Sequence, residues 1–423
     1  MQRNAAAARR GPGYGACMDA ATRLTRYAEL AVNVGAAVRP GVTVHLACDL
    51  EHADLAYEVA AAAYRAGAAR VNVDHRDVRI RRAALENAPL EALTATEDWE
   101  LARVEQMRAT GGAFIRLTGQ ADPHAFDGLD PAKTAAMQTG LSTLMREVLT
   151  SGDVTWTILA APNPGWAQQV FGEPDVERLW DKVAVVMRLD EPDPVAAWRE
   201  RDAELRARAA SLDALGLDSV RYHGEGTELT VGLIPDHVWT GGGLTDVRGA
   251  RYMPNLPTEE VFTSPDNRRA DGVIRLTRPL VLREGVVEGL VVTFEGGRVV
   301  DVAADSGADL VRAQHATDEG APRLGEVSLV DGTSRVRAAG VVFHDTLYDE
   351  NAGCHVAWGA GFPFSVAGWK DLPPGELEAR GLNRSAVHTD VVVGGPGVSV
   401  TGRRADGSEV AIIDDDAWVL PVA

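Results

Sequence analysis

The sequence predicts an α/β amino-terminal domain with a parallel sheet, followed by an α+β carboxy-terminal domain rich in antiparallel strands. Helical and β-branched stretches alternate through the first half, and after Gly216 the texture changes to short strands broken by Gly, Asn and Asp. A chain of 423 residues is also too long for one small core. Residues 18–216 and 217–423 are the expected domains. Residues 1–17 are set apart as a disordered extension or an early start, because Met18 opens the first helix-like segment.

Leu24, Tyr27, Ala28, Leu30 and Ala31 recur at helical spacing, and VRPGVTVHLAC then supplies a turn and an apolar, β-branched run over 42–48. A second helix is expected over 51–67 and a strand in ARVNVDH. GAFIRLTG, a helical stretch over 131–149 and VTWTILAAP continue the alternation, which is the signature of βαβ units on a parallel sheet. After Pro192, DPVAAWRERDAELRARAASLDAL reads as a charged amphipathic helix. Beyond it, VRYHGEGTELTVGLI, GVIRLTRPLVL, GVVEGLVVTFEGGRVVDVAA and ADGSEVAIIDDDAWVL read as hairpins, with EGGR and ADGS as their turns.

Lys and Arg number 42 against 61 Asp and Glu, a formal charge of −19. That balance opposes binding to nucleic-acid phosphates or an anionic membrane and suits a cationic ligand such as a free amino terminus, although it also serves solubility alone. The three cysteines, Cys17, Cys48 and Cys354, are too dispersed for a disulfide framework, which points to a reducing, cytoplasmic setting. No apolar run approaches the roughly 18 residues needed to cross a bilayer. WTGGGLTD, VVGGPGV and WGAGF lack a phosphate-loop Lys-Ser/Thr pair, and GxSxG is absent. Cys354 and His355 are adjacent, so on a strand they point apart and make a poor nucleophile pair.

Six groups able to ligate a divalent metal lie in the last third: Glu260, Glu326, Glu350, His355, His388 and Asp390. Four acids with two imidazoles suit Zn, Mn or Co better than acids alone do. The Thr-Glu-Glu step of YMPNLPTEEVFTSPDN places two carboxylates in a Pro-bounded loop, and the sequence does not choose between Glu259 and Glu260. Glu326 interrupts the apolar run RLGEVSLV. Glu350 and His355 share a coordination sphere if Asn351-Ala352-Gly353 bends, and His388 and Asp390, two apart, project from one face of a strand. Each also has a plainer reading: an exposed acidic pair, a backbone-bonded carboxylate, a packed core imidazole.

PTEEVFTSP, LGEVSLV, DTLYDENAGCHVAWG and NRSAVHTDVVVG, in this order, closely resemble the M29 metalloaminopeptidases. The resemblance runs from Met18 nearly to the end and includes YAELAVNVGAAVRPG and DGTSRV. It implies two divalent metal ions per chain (Zn, Co, Mn or Mg) held by Glu260, Glu326, Glu350, His355, His388 and Asp390, with Glu260 the ligand of its pair. It also implies a peptide or amide substrate with a free amino terminus and a homodimer enclosing the active sites. Glu326 is the acid expected to bridge the metals or to take a proton from water.

One position departs from the family pattern, because a Tyr seven residues after the metal-binding His is replaced here by Phe362. A phenyl ring cannot donate the hydrogen bond ascribed to that hydroxyl, so slow turnover, a substitute donor such as Tyr348 or His344, or a redirected amide hydrolysis is expected. Phe262, Trp358 and Phe362 are candidates for an apolar substrate pocket, with Tyr348 beside them. The rival readings are a mononuclear non-haem iron ring-cleaving dioxygenase of the same fold and a catalytically inert metal-binding module.

Overall fold

The computed structural model describes residues 18–422, apart from 120–121, 123–124, 131–132, 134–143, 146–147, 150 and 283–284. The extension expected at 1–17 and most of the helix expected over 131–149 lie outside the described residues.

The amino-terminal part is built on a five-stranded parallel sheet. Its strands are β1 (Thr43–Asp49), β2 (Arg70–Arg76), β3 (Ala113–Thr118), β4 (Thr155–Ala160) and a short fifth strand, Asn255–Leu256. Their order is fifth strand, β4, β3, β1, β2. The first helix, Ala20–Leu30, starts where the Asp19 carboxylate accepts the Thr22 N–H at 2.9 Å. The second, Ala53–Arg65, packs Leu55, Ala56 and Val59 into the core beneath the sheet. Further helices run over Val78–Asn87, Asp98–Thr110, Pro164–Phe171 and Val176–Val186. The fifth strand, only two residues long, is below what alternation can reveal. It pairs with Ile158 and Leu159 of β4.

The chain leaves β1 to β2 on one side and returns to β3 on the other, so the sheet reverses direction between β1 and β3. The carboxyl ends of those strands flank a crevice, where open parallel sheets commonly bind ligands.

Helix Pro194–Asp213 spans two cores. Trp198 is buried in the amino-terminal one, and Leu205, Ala209 and Leu212 in the second. Its charges are not all on a solvent face as a simple amphipathic reading implies. Arg201, Asp202 and Arg208 are buried, each with an opposite charge: Glu259 at 2.7 Å, Arg251 at 2.7 Å and Asp331 at 3.0 Å respectively.

The remainder is antiparallel. An eight-stranded sheet includes Leu217–Gly224, Thr227–Leu233, Pro265–Arg275 and the hairpin Val291–Glu295/Arg298–Ala303, which turns on Gly296 and Gly297 at φ 54° and 79° as EGGR predicts. A five-stranded sheet orders His388–Val392, His355–Gly359, Leu324–Leu329, Val261–Thr263 and Thr240–Gly241. Among the described residues no helix is long and apolar enough to cross a membrane.

Glu259 is fully buried and fixes this second sheet to the helices. Its carboxylate lies 2.8 Å from Arg188 Nη2 and 2.7 Å from Arg201 Nε, and its N–H donates to Asn351 Oδ1 at 2.6 Å. Removing the acid takes from the part-buried Arg188 its ion-pair partner and leaves the buried Arg201 with Glu204 alone, so Glu259→Ala is expected to lower unfolding free energy by about 3 kcal/mol in urea titration. A change within error would show that the clamp is not structural.

Candidate metal centre

Strand periodicity and register gather the candidate ligands on one face. Across the sheet Glu326 stands opposite Ala357, which stands opposite Asp390; Ser328 stands opposite His355; and Gly359 opposite His388. Alternation sends Glu326 and Ser328, His355, and His388 and Asp390 to the same side, while Val327, Leu329, Val356, Trp358 and Val391 enter the core behind it. A bulge between Leu324 and Glu326 sets the Glu326 position. It requires glycine at 325, where a Cβ would meet the Gly359 carbonyl oxygen at 2.3 Å.

The adjacent acids of TEEV part company. Glu259 turns to the arginines, and Glu260 turns to the cluster, where Oε2 accepts from Ser328 Oγ at 2.7 Å and lies 3.0 Å from His355 Nε2. Two groups of three result. Glu260, Glu326 and His355 each bring a ligand atom within 4.8 Å of the others, and so do Glu326, His388 and Asp390. Glu326 belongs to both. Its Oε1 is 3.8 Å from His355 Nε2, and its Oε2 is 3.2 Å from His388 Nε2. Glu350, at the start of a short 3-10 turn, falls in neither group but is close enough to Asp390 and Glu260 for their charges to bear on it.

Both imidazoles are oriented through their other nitrogen. Nδ1 of His355 is 3.2 Å from the Gly353 carbonyl, and Nδ1 of His388 is 2.7 Å from the Ala360 carbonyl. With Nδ1 carrying the proton, each Nε2 offers a lone pair towards carboxylate oxygens, an arrangement that a shared cation makes favourable. Burial pushes the Glu260 and Glu350 carboxyls above their ordinary range, and the charges of Asp390 and Glu260 push Glu350 further. A divalent cation resolves the crowding, and the donor set of carboxylate oxygen and imidazole nitrogen fits one.

The candidate pocket residues separate. Phe362 is beside the cluster, its ring 5.1 Å from that of His388 and 5.2 Å from that of Phe364, with Phe262 at 5.5 Å. Trp358 is on the opposite face of its strand, fully buried, and donates to Gln314 Oε1 at 2.7 Å. Tyr348 is fully buried in the amino-terminal core against Trp166, and its hydroxyl is directed at the Ala160 carbonyl. The expectation of a pocket wall at Trp358 and Tyr348 is therefore corrected: strand alternation turns the first away, and the second is committed to another core. His344 lines the neighbouring cleft at a backbone φ of 55°. Cys354 is buried behind the sheet, and burial raises its thiol pKa to about 11, against any nucleophilic role.

Sequence reasoning passed over Ser328, Asn351 and Phe364. Ser328 was within reach, being two residues from Glu326 on the same strand. Asn351 takes its part through the Glu259 N–H, 92 positions away, and Phe364 joins Phe362 against Phe262, pairings that local sequence does not reveal.

The chain matches the family described as thermophilic metalloprotease (M29) over residues 20–418. It is 37% identical over 405 residues to aminopeptidase PepS of Streptococcus thermophilus, covering 94% of this chain and 98% of that one. Wild-type AmpT from Thermus thermophilus superposes with a TM-score of 0.86 at 35% identity, covering 94% of this chain and 99% of that one. A 2,5-dihydroxypyridine dioxygenase from Pseudomonas putida KT2440 shares the fold alone, with a TM-score of 0.55 at 14% identity over 95% and 97% of the two chains. With the whole length matched and the acid and imidazole side chains gathered on one sheet face, the chain belongs to the M29 family of metalloproteases.

Proposed function

We infer that this protein is a metal-dependent aminopeptidase that removes residues from the amino terminus of peptides by means of two divalent cations. The observation that carries the two-metal reading is that Glu326 belongs to both ligand groups. Glu260 and His355 would hold one cation with Glu326, His388 and Asp390 the other, with Glu350 nearby. The two Glu326 oxygens face different imidazoles, which supports a bridging role over that of proton acceptor. Bound cations would polarise the scissile carbonyl and lower the pKa of a water towards about 7.

The chain's own residues supply the rest. Ser328 holds Glu260 by its hydroxyl, and the carbonyls of Gly353 and Ala360 fix the imidazoles. The acids beside the cleft attract a protonated α-amino group. Phe262, Phe362 and Phe364 form an aromatic wall suited to Leu-like or aromatic first residues. A homodimer is the assembly that goes with this reading, and sedimentation equilibrium reporting two chains per particle is the check on it.

The dioxygenase alternative has only a shared fold in its favour, and two ligand groups exceed the needs of one iron. An inert module is separated from an enzyme by turnover.

Protein loaded with Co²⁺, Zn²⁺ or Mn²⁺ is expected to release p-nitroaniline from Leu-p-nitroanilide, and chelation to abolish it. Full activity after chelation would reject the reading. Glu326→Gln should reduce metal from about two equivalents per chain to below one, with loss of turnover. Retention of both metals with lost turnover would instead assign Glu326 to proton transfer. Phe362→Tyr restores an oxyanion donor of a kind typically worth about 10² to 10³ in turnover, so kcat is expected to rise at least tenfold with a smaller change in KM. An unchanged kcat would mean that the hydroxyl is not what limits this chain.

A further inference from the structure

A cleft of about 860 Å³ is lined by Glu350 and by Arg116, Arg76 and Arg81 of the amino-terminal part, with Asp49, Glu51, Asp122, Asp127 and Asp345 also on its lining. Its volume is within the range of small-ligand sites, roughly 300–1,000 Å³. The arginine wall is at the sheet's point of reversal: Arg116 of β3 is registered beside Ala47 of β1 at their carboxyl ends, and Arg76 ends β2. Two of the three are occupied. Arg76 is 3.7 Å from Asp74, and Arg81 stacks on the Phe126 ring.

Arg116 is different. It is exposed to the cleft and has neither a hydrogen bond nor an ion pair among the described residues. Asp49, also on the cleft, is near enough for its charge to be felt but not near enough to pair. Desolvation by the cleft walls around this solvent-accessible side chain, together with the Arg76 charge, pulls the guanidinium pKa down, and a bound anion would offset both. No step in metal-assisted hydrolysis employs this residue.

We propose that Arg116 receives the α-carboxylate at the far end of a short peptide whose amino-terminal residue is at the Glu350 end of the cleft. Arg116 would then be a specificity-determining residue that makes the enzyme prefer free-acid peptides of a few residues over amidated or much longer chains. A guanidinium suits a carboxylate because its planar fork matches the two oxygens. The cleft's limited volume sets the short length. The proposal rests on the aminopeptidase reading above and deepens it.

The test uses metal-loaded full-length protein with Leu-Gly-Gly and its carboxy-terminal amide, and with Leu-p-nitroanilide as a substrate lacking a carboxylate. Wild-type kcat/KM is expected to favour the free acid by about tenfold or more, mainly through KM. Arg116→Gln should bring the ratio towards one, and Arg116→Lys should retain part of it. Equal kcat/KM for acid and amide in the wild type overturns the proposal without any variant, as does a ratio that Arg116→Gln leaves intact. Hydrolysis of Leu-p-nitroanilide with no acid preference removes this proposal alone. No hydrolysis of any of the three substrates removes the aminopeptidase reading and the proposal with it.

Discussion

Crowding of like charge on one buried sheet face is the constraint around which the carboxy-terminal half is organised. Glu260, Glu326 and Asp390 converge on two imidazoles turned inward from adjacent strands, and a cation is the group that this set of carboxylate oxygens and imidazole nitrogens suits. The backbone carbonyls behind those imidazoles, the Ser328 hydroxyl and the glycine at 325 all position the candidate ligands. Such support is what distinguishes a metal centre from a patch of acids.

A second set of buried charges has the opposite purpose. Glu259 meets Arg188 and Arg201 and so is neutralised by protein alone. Neighbours in sequence thus divide two tasks, one joining helices to the sheet and the other facing the cluster. The division follows from the direction of the chain entering the Val261–Thr263 strand.

Much of this was legible in sequence, for identifiable reasons. β1, β3 and β4 are largely apolar runs, and EGGR is a hairpin loop by its glycines alone. His388 and Asp390 were visible as a pair because a strand repeats every two residues. The fate of Glu259 against Glu260 was not, since partners 71 and 95 positions away decide it. Trp358 was misplaced because proximity to His355 in sequence implies opposite faces on a strand when the separation is odd. Tyr348 was misplaced because its helix packs into a core composed mostly of residues before 200.

That last contact bears on the cleft. Phe343, Tyr348 and Ala352 are embedded in the amino-terminal core, Trp166 Nε1 donates to the Phe343 carbonyl, Lys182 Nζ donates to the Ala339 carbonyl, and Asn255–Leu256 closes the edge of the parallel sheet. The segment bearing Glu350 is therefore bolted to the opposite wall of the cleft. The wall that carries Glu350 takes its position from the amino-terminal core, so a disturbance of that core reaches the Glu350 carboxylate.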